Sequence, residues 1–119
     1  MNGYNIEPGA NLEFANLADA YLADANLEGA NLADANLKDA DLSNAFLEGA
    51  SLRAAYLMGA DLRGADLSDA NLEGADLTCA SLEGADLTNA NLKGANPKGA
   101  HARGADLEGA TMPDGSIHD

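Results

Sequence analysis

Carboxylates are the groups in this chain with the widest chemical reach. Twenty residues are Asp or Glu against six Lys or Arg, for a formal net charge of −14. Paired carboxylates serve glycoside hydrolysis and cation binding, so they are the first groups to weigh. Here they recur at fixed spacing along the whole chain, as at Asp66, Asp76 and Asp86. A pattern that makes pairs everywhere singles out none as catalytic. It also lacks the Gly-Gly-x-Gly-x-Asp arrangement of calcium-binding β-rolls. Histidine occurs only at His101 and His118, and cysteine only at Cys79. Neither a Ser/His/Asp nor a Cys/His constellation is evident, and zinc-type ligand spacing is absent. Cys79 falls where small residues are usual and reads as a tolerated substitution. The chain is expected to be non-enzymatic, with no catalytic residue, cofactor or metal site.

A repeat positions these groups. Every fifth residue from Ala10 to Ala110 is alanine. Leucine follows two residues later, from Leu12 through Leu92 and again at Leu107, and only Pro97 and Ala102 interrupt. The unit is Ala-(Asn/Asp)-Leu-x-(Gly/Asp/Asn). A helix turns about 100° per residue, so leucines five apart would lie about 140° apart and form no apolar face. In a straight strand, an odd step throws successive leucines to opposite sides. Short extended segments with a corner at each fifth residue resolve the conflict. Ala and Leu then point inward, while Asn/Asp and x point outward. Gly, Asp or Asn turns the corner, as at Gly29, Asp34, Gly49 and Asp69. Coils of this kind stack into a solenoid with a narrow apolar interior.

Charge spacing bears on how many segments close a coil. Arg53, Glu73 and Lys93 are twenty residues apart and alternate in sign, as do Arg63, Glu83 and Arg103. Four segments per coil would stack both series as attractive ladders. Three would set Lys38 under Arg53. Glu28 over Glu48 argues weakly the other way. Exposed pairs contribute only about 0–1 kcal/mol, so they mark register and not stability.

Tandem A(D/N)LXX over residues 10–112 resembles the signature of the pentapeptide repeat family. That resemblance implies an all-β fold, a right-handed quadrilateral β-helix with four repeats per coil. The repeats present would make about five coils. Residues Thr111 to Asp119 look similar to an ending common in small bacterial members. The resemblance says less about function. Some members act on DNA gyrase as acidic DNA mimics, and most have no assigned activity. The gyrase-acting members are longer, with loops or a C-terminal dimer module not evident here.

Residues 1–9, with Tyr4, Ile6 and Pro8, precede the repeat and are expected to cap one end. Residues 10–112 make the β-helix. Pro113-Asp114-Gly115 is a turn signal, and residues 113–119 are expected to form a tail that caps the other end. Met112 and Ile117 keep the leucine register. The protein would be a monomer or an end-to-end homodimer. No apolar run approaches about 18 residues and no basic-then-apolar leader is present, so no membrane association and a cytoplasmic location are expected.

In a twenty-residue register, residues 25–29, 45–49, 65–69, 85–89 and 105–109 share one face. It carries Glu28, Glu48, Asp66, Asp69, Asp86, Asp106 and Glu108, with no Lys or Arg. Asp66, Asp86 and Asp106 form a column. The face suits a basic protein surface, whereas direct nucleic-acid binding is disfavoured by charge. Solubility is its plainer role. Tyr21, Phe46 and Tyr56 fall on three different faces and make no stacking platform. Pro97 and Ala102 remove consecutive core leucines, so a notch is expected beside Lys93, Lys98, His101 and Arg103. The expected function is a rigid, acidic protein-binding or scaffold module. Alternatives are a DNA-mimic modulator of DNA gyrase or another type II topoisomerase, and a small-anion or acidic-peptide site at the notch.

Overall fold

The computed structural model describes residues 3–119; Met1 and Asn2, at the start of the expected N-terminal cap, lie outside the described residues. Parallel bridges join each residue preceding a leucine to its counterpart twenty positions on, from Asn11–Asn31 to Asn91–Thr111. A turn follows each leucine. Four five-residue sides therefore close one coil, which is the register read from the charges. The stacked coils form a body of 40 × 24 × 21 Å.

The extended part of each side is too short to be a conventional strand, yet in the middle coils its N–H groups are all bonded wherever Asn or Asp precedes the leucine. Residues 65–69 illustrate this. Asp66 N–H donates back to the Ala45 carbonyl at 2.9 Å, and Leu67 N–H donates forward to Asp86 at 2.7 Å. Asp69 N–H donates forward to Thr88 at 2.9 Å, and Ala65 N–H closes the preceding turn on Leu62 at 3.1 Å. The fifth donor, Ser68 N–H, goes to Oδ1 of Asp66 at 3.0 Å. A side of this kind satisfies the N–H groups that a buried or half-buried chain must pair.

Corners need a left-handed residue. Every fifth residue from Gly9 to Gly109 has φ between 58° and 74°. Glycine, Asp and Asn tolerate this region; other side chains incur about 1–2 kcal/mol. Phe14, Ala54 and Cys79 nevertheless stand at corners, with φ of 62°, 58° and 59°. Some glycines also lie close under a side chain of the preceding coil, which would have to shift to admit a larger residue. A Cβ at Gly59, Gly64 or Gly109 would collide with Oδ1 of Asp39, Asn44 or Asn89 on the preceding coil.

The interior is a column of Ala and Leu with no buried polar group among the described residues. Leu47, Leu57 and Leu67 are wholly inaccessible. At the N-terminal end Tyr4 and Ile6 pack against this core. Tyr4 Oη accepts the Asn16 N–H at 3.2 Å, and Gly9 N–H donates to Glu28 at 2.9 Å.

Two expectations need correction. Ile117 does not continue the leucine register. The chain reverses at Pro113–Ser116, and Ile117 bridges antiparallel to Thr111. His118 N–H returns to Ala110 at 2.8 Å, and Ile117 is left 62% exposed. The turn is fixed locally: Asp114 Oδ1 accepts both N–H and Oγ–H of Ser116, at 2.9 and 2.6 Å. The charge ladders are also only partly formed. Arg53 meets Glu73 at 3.5 Å, but Arg63 forks onto Asp61 of its own repeat at 2.9 and 2.7 Å. The adjacent carboxylate presents both oxygens to the guanidinium, which Glu83 on the next coil does not.

Ala54→Gly is expected to raise stability by about 1 kcal/mol through relief of the left-handed corner. Leu47→Ala is expected to cost about 2–5 kcal/mol. Equilibrium urea unfolding of both variants checks the two signs together.

Candidate functional site

Both sequence-selected regions are placed by the twenty-residue ladder. Bridges Asn26–Phe46, Phe46–Asp66, Asp66–Asp86 and Asp86–Asp106 run in one line. Neighbouring members therefore sit about 4.8 Å apart along the axis. Glu28, Glu48, Asp69, Asp106 and Glu108 are exposed, while Asp66 and Asp86 are half-buried. No cation enters this face among the described residues: both ion pairs, Arg53–Glu73 and Arg63–Asp61, lie elsewhere.

The column carboxylates are anchored as well as charged. Asp66 Oδ1 accepts the Ser68 N–H and Oγ–H at 3.0 and 2.6 Å. Asp86 does the same with Thr88 at 2.9 and 2.6 Å. Asp106 accepts the Glu108 N–H at 3.0 Å. Reading these side chains as simply outward missed this tie. The available signal was the Asp-Leu-Ser/Thr spacing, since Asx side chains cap an N–H two residues on. Phe46 belongs to the 45–49 segment of this face. It stands 50% exposed in line with Asp66.

The expected notch takes a different form. Pro97, Ala102, Leu107 and Met112 are the four inward residues of the last coil, and they surround an opening at the end of the solenoid. Leu77, Leu82, Leu87 and Leu92, from the coil beneath, also line it. The result is a cavity of about 140 Å³ opening axially, rather than a break in a side wall. Two truncated side chains cause it, because proline and alanine leave the space that two leucines fill in other coils. Lys93, Lys98, His101 and Arg103 are exposed on this end but do not line the cavity. The lining offers apolar surface and not the cationic pocket that a small anion would need.

Among the described residues no group of three His, Cys, Asp or Glu is arranged to hold a metal ion. No helix is long and apolar enough to cross a membrane. What the coordinates define is a parallel solenoid wound from five-residue sides, with an acidic face and one open end. The family model described as Pentapeptide repeats matches residues 15–53, 55–94 and 80–114, in eight copies. The chain belongs to the pentapeptide repeat family.

Solved structures agree. HetL, a pentapeptide repeat protein involved in heterocyst differentiation regulation in Nostoc sp. strain PCC 7120, is 42% identical over 93% of this chain and 61% of its own, with TM-score 0.58. Rfr23 from Cyanothece 51142 is 40% identical over 79% of this chain and 64% of its own, with TM-score 0.61. QnrB1, a plasmid-mediated fluoroquinolone resistance protein, aligns over 93% of this chain and 68% of its own at 22% identity and TM-score 0.61, a likeness of fold. The chain spans about three-fifths of the length of the two cyanobacterial proteins, 61% and 64%. No curated protein matches.

The anchoring at Asp86 has a pH signature. The Thr88 hydroxyl, then its amide, hold the Asp86 carboxyl below the ordinary value of 3.8. A lowered folded value means the ionised form contributes stability above the unfolded value, lost as pH falls through the folded one. Thr88→Val is expected to move the Asp86 titration up toward 3.8 in carboxyl ¹³C NMR. Its acid unfolding should be correspondingly less steep below about pH 4. An unmoved titration would remove the hydroxyl as the cause.

Proposed function

We propose that this protein is a non-enzymatic, rigid docking module, a right-handed β-helix of about five coils that binds a basic protein surface through its acidic face. The observation that carries this reading is the face itself. Seven acids and no Lys or Arg lie on it, half of the formal net charge of −14. Complementary charge speeds encounter and sets orientation, while affinity needs a desolvated anchor. Phe46, half exposed among the acids, supplies a side chain of that type. The fold supplies rigidity, because Asp66 and Asp86 are held by the ladder on both sides, Asp106 on one, and each by its own turn.

The column can be neutralised without disturbing the fold. Asn31 and Asn71 occupy the same repeat position, and their Oδ1 atoms accept the N–H two residues on at 3.0 Å. Asp66→Asn/Asp86→Asn/Asp106→Asn should therefore melt close to wild type. In a low-salt pull-down from a bacterial lysate, wild type is expected to retain a stoichiometric basic protein that the triple variant loses. Retention should fall as salt rises, and Phe46→Ala should weaken it at constant charge. Equal retention by two folded proteins would defeat the reading. Recovery of a type II topoisomerase would instead favour the DNA-mimic alternative, in which the charged rod stands in for a duplex.

A further inference from the structure

The C-terminal mouth combines three features that the acidic face lacks. The first is an unpaired edge. In the coils beneath, the N–H groups of the leucine and corner positions donate to the next coil. At the mouth those of Gly99, Ala102, Gly104 and Leu107 carry no hydrogen bond. The carbonyls of Ala95, Ala100 and Ala105 likewise accept none. The hairpin tail covers only the side formed by Gly109 to Met112.

The second is the apolar cavity of about 140 Å³ inside that edge. A cavity of about 150 Å³ accepts a benzene-sized group, so this one suits a single large aliphatic or aromatic side chain. The third is local charge. Residues 87–105 hold Lys93, Lys98, His101 and Arg103 and not one Asp or Glu, in a chain with twenty acids. Both departures from leucine, Pro97 and Ala102, fall in this same stretch.

We infer that the open C-terminal mouth binds an extended acidic peptide, which pairs with the free backbone edge and places one large apolar side chain in the cavity. Each feature matches one property of that ligand. Free N–H and C=O groups in alternation recognise an added strand. The apolar cup takes the inward side chain. The basic side of the rim, Lys98 to Arg103, selects acidic residues pointing outward, away from Asp106 and Glu108 on the neighbouring side. A free anion uses only the rim, and an uncharged hydrocarbon only the cup. The opposite end of the molecule offers no equivalent, because Tyr4 and Ile6 occupy it. This inference stands apart from the acidic-face reading, since its cup and its basic residues, Lys98 to Arg103, lie outside that face; the two meet only at the side formed by residues 105–109.

The probe is a fluorescein-labelled peptide, Asp-Glu-Ala-Asp-Leu-Glu-Gly, blocked at its C-terminus. Anisotropy is read at about 0.15 M salt, where charges more than about 8 Å away are screened. Wild type is expected to bind it and to bind a Leu-to-Ser version at least tenfold more weakly. Ala102→Leu fills the cup and should weaken binding at least tenfold without lowering the melting temperature. Lys98→Glu/Arg103→Glu should do so through the rim. Undiminished binding by Ala102→Leu, or no binding by wild type, would overturn the inference. So would sedimentation showing a wild-type dimer that Ala102→Leu abolishes, since the mouth would then be covered by a second copy. Asp66→Asn/Asp86→Asn, which leaves the last coil unchanged, should bind the peptide as wild type does, which keeps the two interfaces distinguishable.

Discussion

One constraint governs this molecule: each internal side that begins Ala-Asn or Ala-Asp has five backbone N–H groups, and all find acceptors while the chain turns a corner. The solution divides them by position. Three reach neighbouring coils, one closes the turn, and one goes to the Asn or Asp side chain two residues earlier. The corner residue must adopt positive φ for the turn to close. Glycine, Asp and Asn predominate there for that reason, and leucine and alanine fill what little space the coil encloses. Change the period by one residue and every one of these assignments fails.

This division separates structure from charge. Where the position before leucine supplies an Oδ1 acceptor, Asn and Asp provide it equally. Asn31 and Asp66 make the same bond to the N–H two residues on, each at 3.0 Å. Folding therefore leaves the choice between them open, and the surface field is written in that choice. Asp at 66, 86 and 106 in a single column is a property of the surface, imposed on a position whose structural duty is indifferent to it. Where the position lacks an Oδ1, as at Tyr21, Phe46 and Tyr56, no group among the described residues accepts the N–H two residues on. Thr111 precedes Pro113, which has no N–H to satisfy.

The two ends show how a solenoid handles its exposed edges. At the N-terminal end Leu12 and Leu22 remain 2% exposed, with Tyr4 and Ile6 packed against the core. At the C-terminal end the tail turns back and pairs along one side only. Pro97 and Ala102 do not fill the interior as leucines would, so the described last coil is left open. Charge follows the same polarity. Residues 1–37 hold no Lys or Arg, while residues 87–105 hold no Asp or Glu.

The amino-acid sequence by itself determined the period, the inward identity of Ala and Leu, the corner positions and the acidic grouping. These are local or strictly periodic properties, and a period of five is compatible with neither a helix nor a flat strand. The sequence also marked Pro97 and Ala102 as departures from the pattern. Only the tertiary structure decided what those departures do. A missing leucine is a notch if a further coil covers it and a mouth if none does, and the reversal at Pro113–Ser116 decides between them. The partner of Arg63 and the exposure of Ile117 were set in the same way. Both depend on which groups are brought alongside by stacking or by a chain reversal, and such proximity is not a function of spacing along the chain.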